Sequence, residues 1–327
     1  MLTVTVAAII PHWNRRDLLE PLFSSLHAQT RPFDQITVVD NASTDDSVDL
    51  AQRHHATVLR LDQNLGFAAA VNRGIESSNA DWIAILNNDV TLAPNWLEQL
   101  LNKSDGVAFV TGKILSAADP SIIDGTFDEI SRGACAWRCG QGKKDAPVWN
   151  QPRQIRMAPM TAAIFRKTLF DQIGLLDETF GSYLEDVDFG IRCALAGHPG
   201  AYVPAAVACH RGSATLGAWN NDTVKQIARN QILLTVKHFN GEPRWPIVAG
   251  QLLWGLVALR HLRGVSYLRG KVSGWKTTRA IYRGKNALSE EISPLTEIGE
   301  REIFALQQQT GFDWYWRAYF WLLPRSS

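Results

Sequence analysis

Two short acidic clusters, about a hundred residues apart, carry the residue types for group-transfer chemistry. One is ILNNDV, in which Asn87, Asn88 and Asp89 follow the apolar run 82–86. The other is YLEDVDFGIR, with Glu185, Asp186 and Asp188 ahead of Arg192. A carboxylate just past a buried strand can hold a cation over the edge of a sheet, and open α/β sheets bind ligands at that carboxyl edge. Magnesium uses one or two protein carboxylates plus substrate phosphates and waters, so Asp89 beside a diphosphate is enough. A second carboxylate opening a helix can face the same cleft and accept a proton. Together the clusters imply transfer of a group from an activated donor to a hydroxyl.

The elements that must position these residues are read from hydropathy periods. Strands are expected at 4–10, 35–39, 57–61, 81–86 and 107–111, and helices at 17–29, 45–54, 67–77 and 94–101. Within 17–29, Leu18, Leu19, Leu22, Phe23 and Leu26 recur at helical spacing. Ser43 or Thr44 is the expected N-cap of the second helix, and Pro94 opens the fourth. Strands alternating with helices predict an α/β fold, a Rossmann-like, mostly parallel sheet flanked by helices. From 112 to 160 the pattern loosens into loops and short antiparallel strands over the sheet edge. Helices return at 168–173, 187–196 and 220–239. Beyond Gly241 the composition shifts to Trp, Arg and Gly, which places a boundary near 240.

Three further motifs follow predicted strands. PHWNRRDLL offers Asn14 and Arg15 in a turn that could contact a nucleotide or simply cap a helix. VVDNASTDDS places Asp40 at a strand end, where it can accept from a base N–H or a ribose hydroxyl. A capping turn accounts equally well for Ser43 and Asp45, but less easily for Asp40. In NLGFAAAVNRGI, Gly66 precedes a helix that contains Asn72 and Gly74, and small residues at 68–70 allow close backbone approach. Neither GxGxxG nor GxxxxGK[ST] is present, so dinucleotide and P-loop readings lack their fingerprints.

PHWNRRDLL, VVDNASTDDS, NLGFAAAVNRGI, LNNDV, LEDVDFGIRCALAG and HRGSAT occur in an order that resembles the inverting family 2 glycosyltransferases of the GT-A fold. They look most like the bacterial rhamnosyltransferase-type members that use dTDP-rhamnose. The resemblance covers about residues 3–215, and the order of six motifs is far more specific than any one of them. It implies a GT-A catalytic domain over 1–240, with a nucleotide-sugar-binding half (1–111) and an acceptor-binding half (112–240), then a basic, aromatic-rich helical extension over 241–327. By the same resemblance Asp186 is the catalytic base with Glu185 beside it, and Asp40 binds the base of the nucleotide. Asp89 is the metal-binding Asp of a DXD-like motif, and His210 is a further ligand to metal or diphosphate. Pro11, Asn14, Arg15, Asn41, Ser43, Gly66, Phe67, Asn72 and Asn88 are implied around the donor. The implied cofactor is a divalent metal, Mg2+ or Mn2+. One departure is that Asn87 stands where a DXD motif has its first Asp, offering a neutral oxygen in place of a charge.

The residues fit that activity on their own terms. Asp186 must be ionised to take the proton of an acceptor hydroxyl as that oxygen attacks an anomeric carbon. Arg192, four residues after Asp188, can pair with it on one helix face. The expected reaction moves L-rhamnose from dTDP-rhamnose to a saccharide hydroxyl of a cell-envelope glycan or lipid-linked precursor. Two rivals are a UDP-sugar-dependent transferase of the same fold and, because of Asn87, a catalytically silent sugar-nucleotide-binding scaffold.

Composition adds limits. With 46% hydrophobic and 20% charged residues the chain is ordinary for a globular protein, and a net charge of +1 gives no global argument for nucleic acid. Between 243 and 289, however, nine Lys or Arg occur without one Asp or Glu. The chain ends in FDWYWRAYFWLLPR. Aromatic rings and cations together fit an anionic membrane surface; the alternative is a helical subdomain packed on the core or on a second subunit. No nucleic-acid motif accompanies the basic stretch, so no nucleic-acid partner is expected. The apolar run 247–259 contains Gln251 and falls short of the ~20 residues that span a bilayer. LTVTVAAII lacks a basic segment and a cleavage site, so no signal peptide is expected. Four cysteines form neither a disulfide framework nor a zinc spacing and are expected as reduced thiols. The expected location is cytoplasmic, peripheral on the inner face of the cytoplasmic membrane.

Overall fold

The computed structural model describes residues 4–212, 219–281 and 291–324. The SAT of HRGSAT, together with Tyr282, Arg283 and Lys285 of the basic stretch, therefore lies outside the described residues. The chain divides into two compact units, one of Met1–Phe127 with Gly140–Thr215, the other of Asp128–Cys139 with Leu216–Ser327.

In the first unit the order is β1 (Val6–His12), α1 (Arg16–His27), β2 (Gln35–Asp40), α2 (Ser47–Arg53), β3 (Thr57–Arg60), α3 (Phe67–Glu76), β4 (Trp82–Leu86), β5 (Val90–Leu92), α4 (Trp96–Leu101), β6 (Phe109–Ser116) and β7 (Ile123–Gly125). The chain then leaves for a hairpin of the second unit, β8 (Asp128–Ile130) and β9 (Ala136–Arg138). It returns as β10 (Arg153–Ile155), β11 (Ala162–Arg166), α5 (Lys167–Ile173), α6 (Glu185–Leu195) and β12 (Gly200–His210). The main sheet runs β10-β12-β6-β11-β4-β1-β2-β3, with β5 on β12 and β7 on β6.

Strands β1 and β4 are buried along their whole length, as expected for central strands covered on both faces. The apolar face predicted for the first helix, Leu18 to Leu26, is the buried face of α1. β1 is parallel to β2 and β4, and β2 to β3. β11 is antiparallel to both β4 and β6, and β12 is parallel to β6. Two reversals restore the direction, so β12, β6, β4, β1, β2 and β3 all end at one edge. That edge gathers the site.

Two differences from the expected elements matter there. β1 ends at His12 rather than residue 10, because its ladder with β2 continues through Pro11↔Val39 and His12↔Asp40. β11 and β12 were not expected as strands. Both are alanine-rich, and β12 carries Pro204 and a register shift between Val203 and Val207, which breaks the period-two signal.

The second unit holds α7 (Asn221–His238), α8 (Arg244–Arg260), α9 (Gly264–Ile281), α10 (Ser293–Thr310) and α11 (Trp314–Leu322). Its limit lies before α7, not near 240. The reason is that α7 lies along α9, where any side chain at Gly270 would collide with the Lys225 carbonyl. The β8–β9 hairpin joins the same unit. Arg132 pairs with buried Glu300 at 2.8 Å, and the Gly133 amide donates to the Tyr319 hydroxyl at 2.9 Å.

Candidate active site

The loops after β1, β2 and β3 are tied to one another. The Asn14 amide donates to Ser43 Oγ at 2.7 Å, and the Thr44 amide donates to Asn14 Oδ1 at 2.9 Å. Asn14 and Arg15 both take the left-handed conformation, which is costly for residues with a Cβ and is a mark of functional loops. Ser43 is not the expected helix N-cap. Asp46 takes that position, and the Ser43 amide instead donates to the buried Asp40 carboxylate at 3.1 Å. Arg60 at the end of β3 brings its Nε to 3.6 Å from Asp40. Asn41 Nδ2 donates to the Gly66 carbonyl at 3.4 Å and its Oδ1 accepts from the Leu65 amide at 3.3 Å. Arg15 pairs with Asp17 at 2.9 Å.

Gly66, at φ 89°, lets the chain turn into α3 against Gly181, whose carbonyl oxygen would lie 3.0 Å from an added Cβ. The first amides of α3 then bind the segment leading to α6: Phe67 N donates to Ser182 Oγ at 3.2 Å and Ala68 N to the Gly181 carbonyl at 2.9 Å. Asn72 differs from its expected place at the donor. It is buried, and its amide is engaged by the Leu176 backbone on both sides and by Glu178. It fixes the chain entering α6.

That chain enters α6 through Tyr183 and Leu184, both left-handed. The three carboxylates of the first turn then separate by environment. Asp188 is fully buried and pairs with Arg192 at 3.1 Å, as the four-residue spacing predicts, while Arg192 also donates to the carbonyls of Ile173 and Leu175. Glu185 is buried. Asp186 is half-buried, with Oδ1 accepting from the Val187 amide at 2.9 Å.

The segment after β4 meets the end of β12, because Val90 on β5 pairs with His210. His210 Nε2 lies 3.0 Å from Asp89 Oδ1 and its Nδ1 lies 2.8 Å from Asp124 Oδ2. Burial alone would lower the pKa of this imidazole, but its bonds to Asp124 and Asp89 outweigh that and raise it to about 9. Asn87 Nδ2 is 3.5 Å from the same Nε2. Asn88 turns the other way and donates to His12 Nδ1 at 2.9 Å. His12 Nε2 then donates to Ser47 Oγ at 2.8 Å, and Ser47 donates to Asp45. Burial lowers the pKa of His12 to about 4. Pro11, expected near the donor, is buried inside β1.

A family model described as glycosyl transferase family 2 matches residues 7–174, just over half of the chain. The chain belongs to glycosyl transferase family 2. Among its curated relatives is N-acetylglucosaminyl-diphospho-decaprenol L-rhamnosyltransferase of Mycobacterium tuberculosis, 28% identical over an alignment of 282 positions that covers 77% of this chain and 90% of that one. The pre-mycofactocin glycosyltransferase of the same organism is 28% identical over 316 residues, 93% of this chain and 63% of the relative. The crystal structure of GalNAc-T7 with UDP, GalNAc and Mn2+ superposes with a TM-score of 0.65 at 13% identity. That match covers 94% of this chain and 58% of that enzyme, and it shows the shared fold.

Among the described residues of this glycosyltransferase, no group of three or more His, Cys, Asp and Glu side chains could hold a metal ion by itself. The residues that could share one with a bound diphosphate are Asp89 and His210, the imidazole only once its Nε2 has given up its proton, with Asp124 holding the second imidazole nitrogen as in a carboxylate–histidine–metal arrangement. These residues fit an ion shared with a diphosphate rather than an ion held permanently. Asp124, His12 and Arg60 stand among these residues although sequence reasoning did not single them out. Asp124 and Arg60 sit on short strands outside any motif, and His12 lay within PHWNRRDLL without a spacing that singled it out.

Proposed function

We propose that this glycosyltransferase transfers L-rhamnose from dTDP-rhamnose, with inversion, to a saccharide hydroxyl of a lipid-linked cell-envelope glycan. The observation that carries the site assignment is the separation of carboxylates at α6. Asp188 is consumed by Arg192 and Glu185 is buried, so Asp186 is the member of the turn with access to an acceptor. The acceptor oxygen attacks the anomeric carbon while the bond to the diphosphate oxygen breaks, and the hydroxyl proton passes to the Asp186 carboxylate. Asp89 and His210 would hold a divalent cation, Mg2+ or Mn2+, and that cation would neutralise charge on the departing diphosphate.

Asn14, Asn41, Ser43, Gly66 and Phe67 form the linked loops that shape the donor side, with Asp40 and Arg60 facing the base. Asn72 and Asn88 act as positioning residues, one for the α6 entry and one for His12. Holding donor and acceptor in line supplies much of the remaining acceleration. The choice of L-rhamnose and of a lipid-linked acceptor is supported by the name of the mycobacterial relative. A donor-panel assay, following nucleoside diphosphate release and transfer with and without Mg2+ or Mn2+, tests it. dTDP-rhamnose is expected to be the best donor and release to depend on the metal. Preference for a UDP-sugar would replace the donor assignment, and binding without release from any donor would refute the activity.

A further inference from the structure

The second unit carries a surface that an ordinary soluble helix pair does not have. On α8, Trp245, Val248, Leu252, Leu256 and Leu259 are all exposed, at steps of three or four residues that place them on one face. On α9, Val265, Leu268, Val272 and Trp275 repeat the pattern, and Leu262 in the connecting turn is 84% exposed. The two helices run antiparallel. The Tyr267 hydroxyl donates to the Gln251 carbonyl at 2.8 Å, and Lys271 Nζ donates to Gln251 Oε1 at 2.7 Å. The exposed rows therefore begin and end near Trp245 and Trp275 and meet at the leucine-rich turn.

A surface helix normally presents polar residues to water. Between Arg244 and Arg260, Gln251 is the single hydrophilic side chain, and it is buried. Between those two arginines the outward face of α8 thus offers water no polar side chain. Isolated exposed apolar residues need no explanation, but a contiguous row of this kind marks an interaction surface.

Charge identifies the partner. Arg244, Arg260, Arg269, Lys276 and Arg279 are exposed on the same two helices, and no Asp or Glu occurs between Arg244 and Ile281. Two copies joined by this face around a two-fold axis would bring like charges together. Nucleic acid would match the cations but leave the aliphatic rows exposed. An anionic bilayer satisfies both, with lipid headgroups meeting the cations and the acyl boundary covering the leucines. No helix among the described residues is long and apolar enough to cross a membrane, so the segment lies on the surface.

We propose that the α8–α9 hairpin docks this enzyme in the plane of an anionic membrane, with the two apolar rows inserted and Trp245 and Trp275 at headgroup level. The inference rests on the reading of the acceptor as lipid-linked only for its purpose; the surface is argued from the second unit alone. It relocates the contact that the C-terminal aromatics suggested. In α11, Trp316 and Tyr319 are buried, and Phe320 closes a cluster of edge-on rings with Phe304 and Phe312. Most of those aromatics build the helical unit instead of meeting lipid.

The test is flotation of the full chain with vesicles of phosphatidylcholine alone or mixed with phosphatidylglycerol. The wild type should float with the anionic vesicles, and added salt should weaken but not abolish this. Leu252→Asp combined with Leu256→Asp and Leu268→Asp should reduce vesicle binding at least ~10-fold. Arg260→Ser, Arg269→Ser and Lys276→Ser should each reduce it by roughly fivefold at low salt. As a readout independent of those variants, brominated lipid should quench wild-type tryptophan fluorescence, and less so after Trp245→Phe and Trp275→Phe. Equal flotation of wild type and the triple Asp variant overturns the proposal. So does absent vesicle binding with a concentration-dependent dimer that the triple variant dissolves. Transfer to a soluble acceptor is measured on the same samples. Absent vesicle binding by the wild type while its transfer persists refutes the docking alone, and wild-type vesicle binding without transfer from any donor refutes the activity alone.

Discussion

The first unit buries polar groups where a protein usually buries carbon, and the second exposes carbon where a protein usually shows charge. At the sheet edge, Asp40, Asp89, His12 and His210 are all buried. On α8 and α9, leucine, valine and tryptophan face outward. Each is an inversion of the normal partition, and each carries a cost unless something compensates it. In the first unit the compensation is internal: Asp89 and Asp124 flank His210, Ser43 satisfies Asp40, and Asn88 and Ser47 flank His12. In the second, the apolar rows are exposed among the described residues, and the proposed docking would supply the compensation from outside. A buried polar cluster and an exposed apolar stripe thus teach the same lesson about partners, one small and charged, the other extended and oily.

The largest effect is expected at the buried ion pair of α6. Asp188→Ala removes one partner of a buried ion pair and leaves Arg192 behind, so it should destabilise the protein by about 3–5 kcal/mol in denaturant titration. A stability near wild type would mean that this pair does not order the α6 turn. Asp124→Asn should act differently. It leaves the fold in place but loosens the grip on His210, and should weaken metal-dependent nucleotide binding by about 10–100-fold in calorimetry. Unchanged metal dependence there would remove His210 from the metal-binding assignment.

The neutral imidazole of His12 gives a smaller effect with a defined sign. Burial depresses its pKa from 6.5 to about 4, so the unfolded chain binds the extra proton between those values. Its contribution to stability is complete above pH 6.5 and is lost as pH falls towards 4. His12→Gln should flatten the stability profile in that window, and an unaltered acid slope would contradict the assignment. The smallest effect belongs to the second unit. Leu256→Gln on the exposed row should shift stability by no more than about 0.5 kcal/mol, since a surface position away from special features tolerates exchange. A large loss would mean that the row is packed, not exposed.

Legibility followed the same division. The alternation of strands and helices was readable because β1 and β4 are continuous apolar runs and α1 carries its leucines at helical spacing. The places of Asp89 and Asp186 were readable because motifs mark the end of β4 and the start of α6. The partner of His210 was not, since Asp124 lies 86 positions away on a three-residue strand and the contact exists only once β12 pairs with β5 and β6. Nor could periodicity reveal β12, whose alanines and Pro204 carry little strand signal. The cations of 243–289 were plain in the chain. The apolar rows beside them were not, because a helix apolar all round reads as buried until its neighbours are known.

Asp186 is the residue on which the proposed chemistry turns. Sugar transfer and donor affinity should be measured side by side in the wild type and in Asp186→Asn, with the denaturant stability of both as the folding control. The prediction is a loss of turnover of about 10²–10⁴ in Asp186→Asn with donor binding intact, the size expected when a general base is removed. Near-normal turnover in that variant would contradict the assignment of the base, and with it the reading of the α6 turn as the acceptor side of the site.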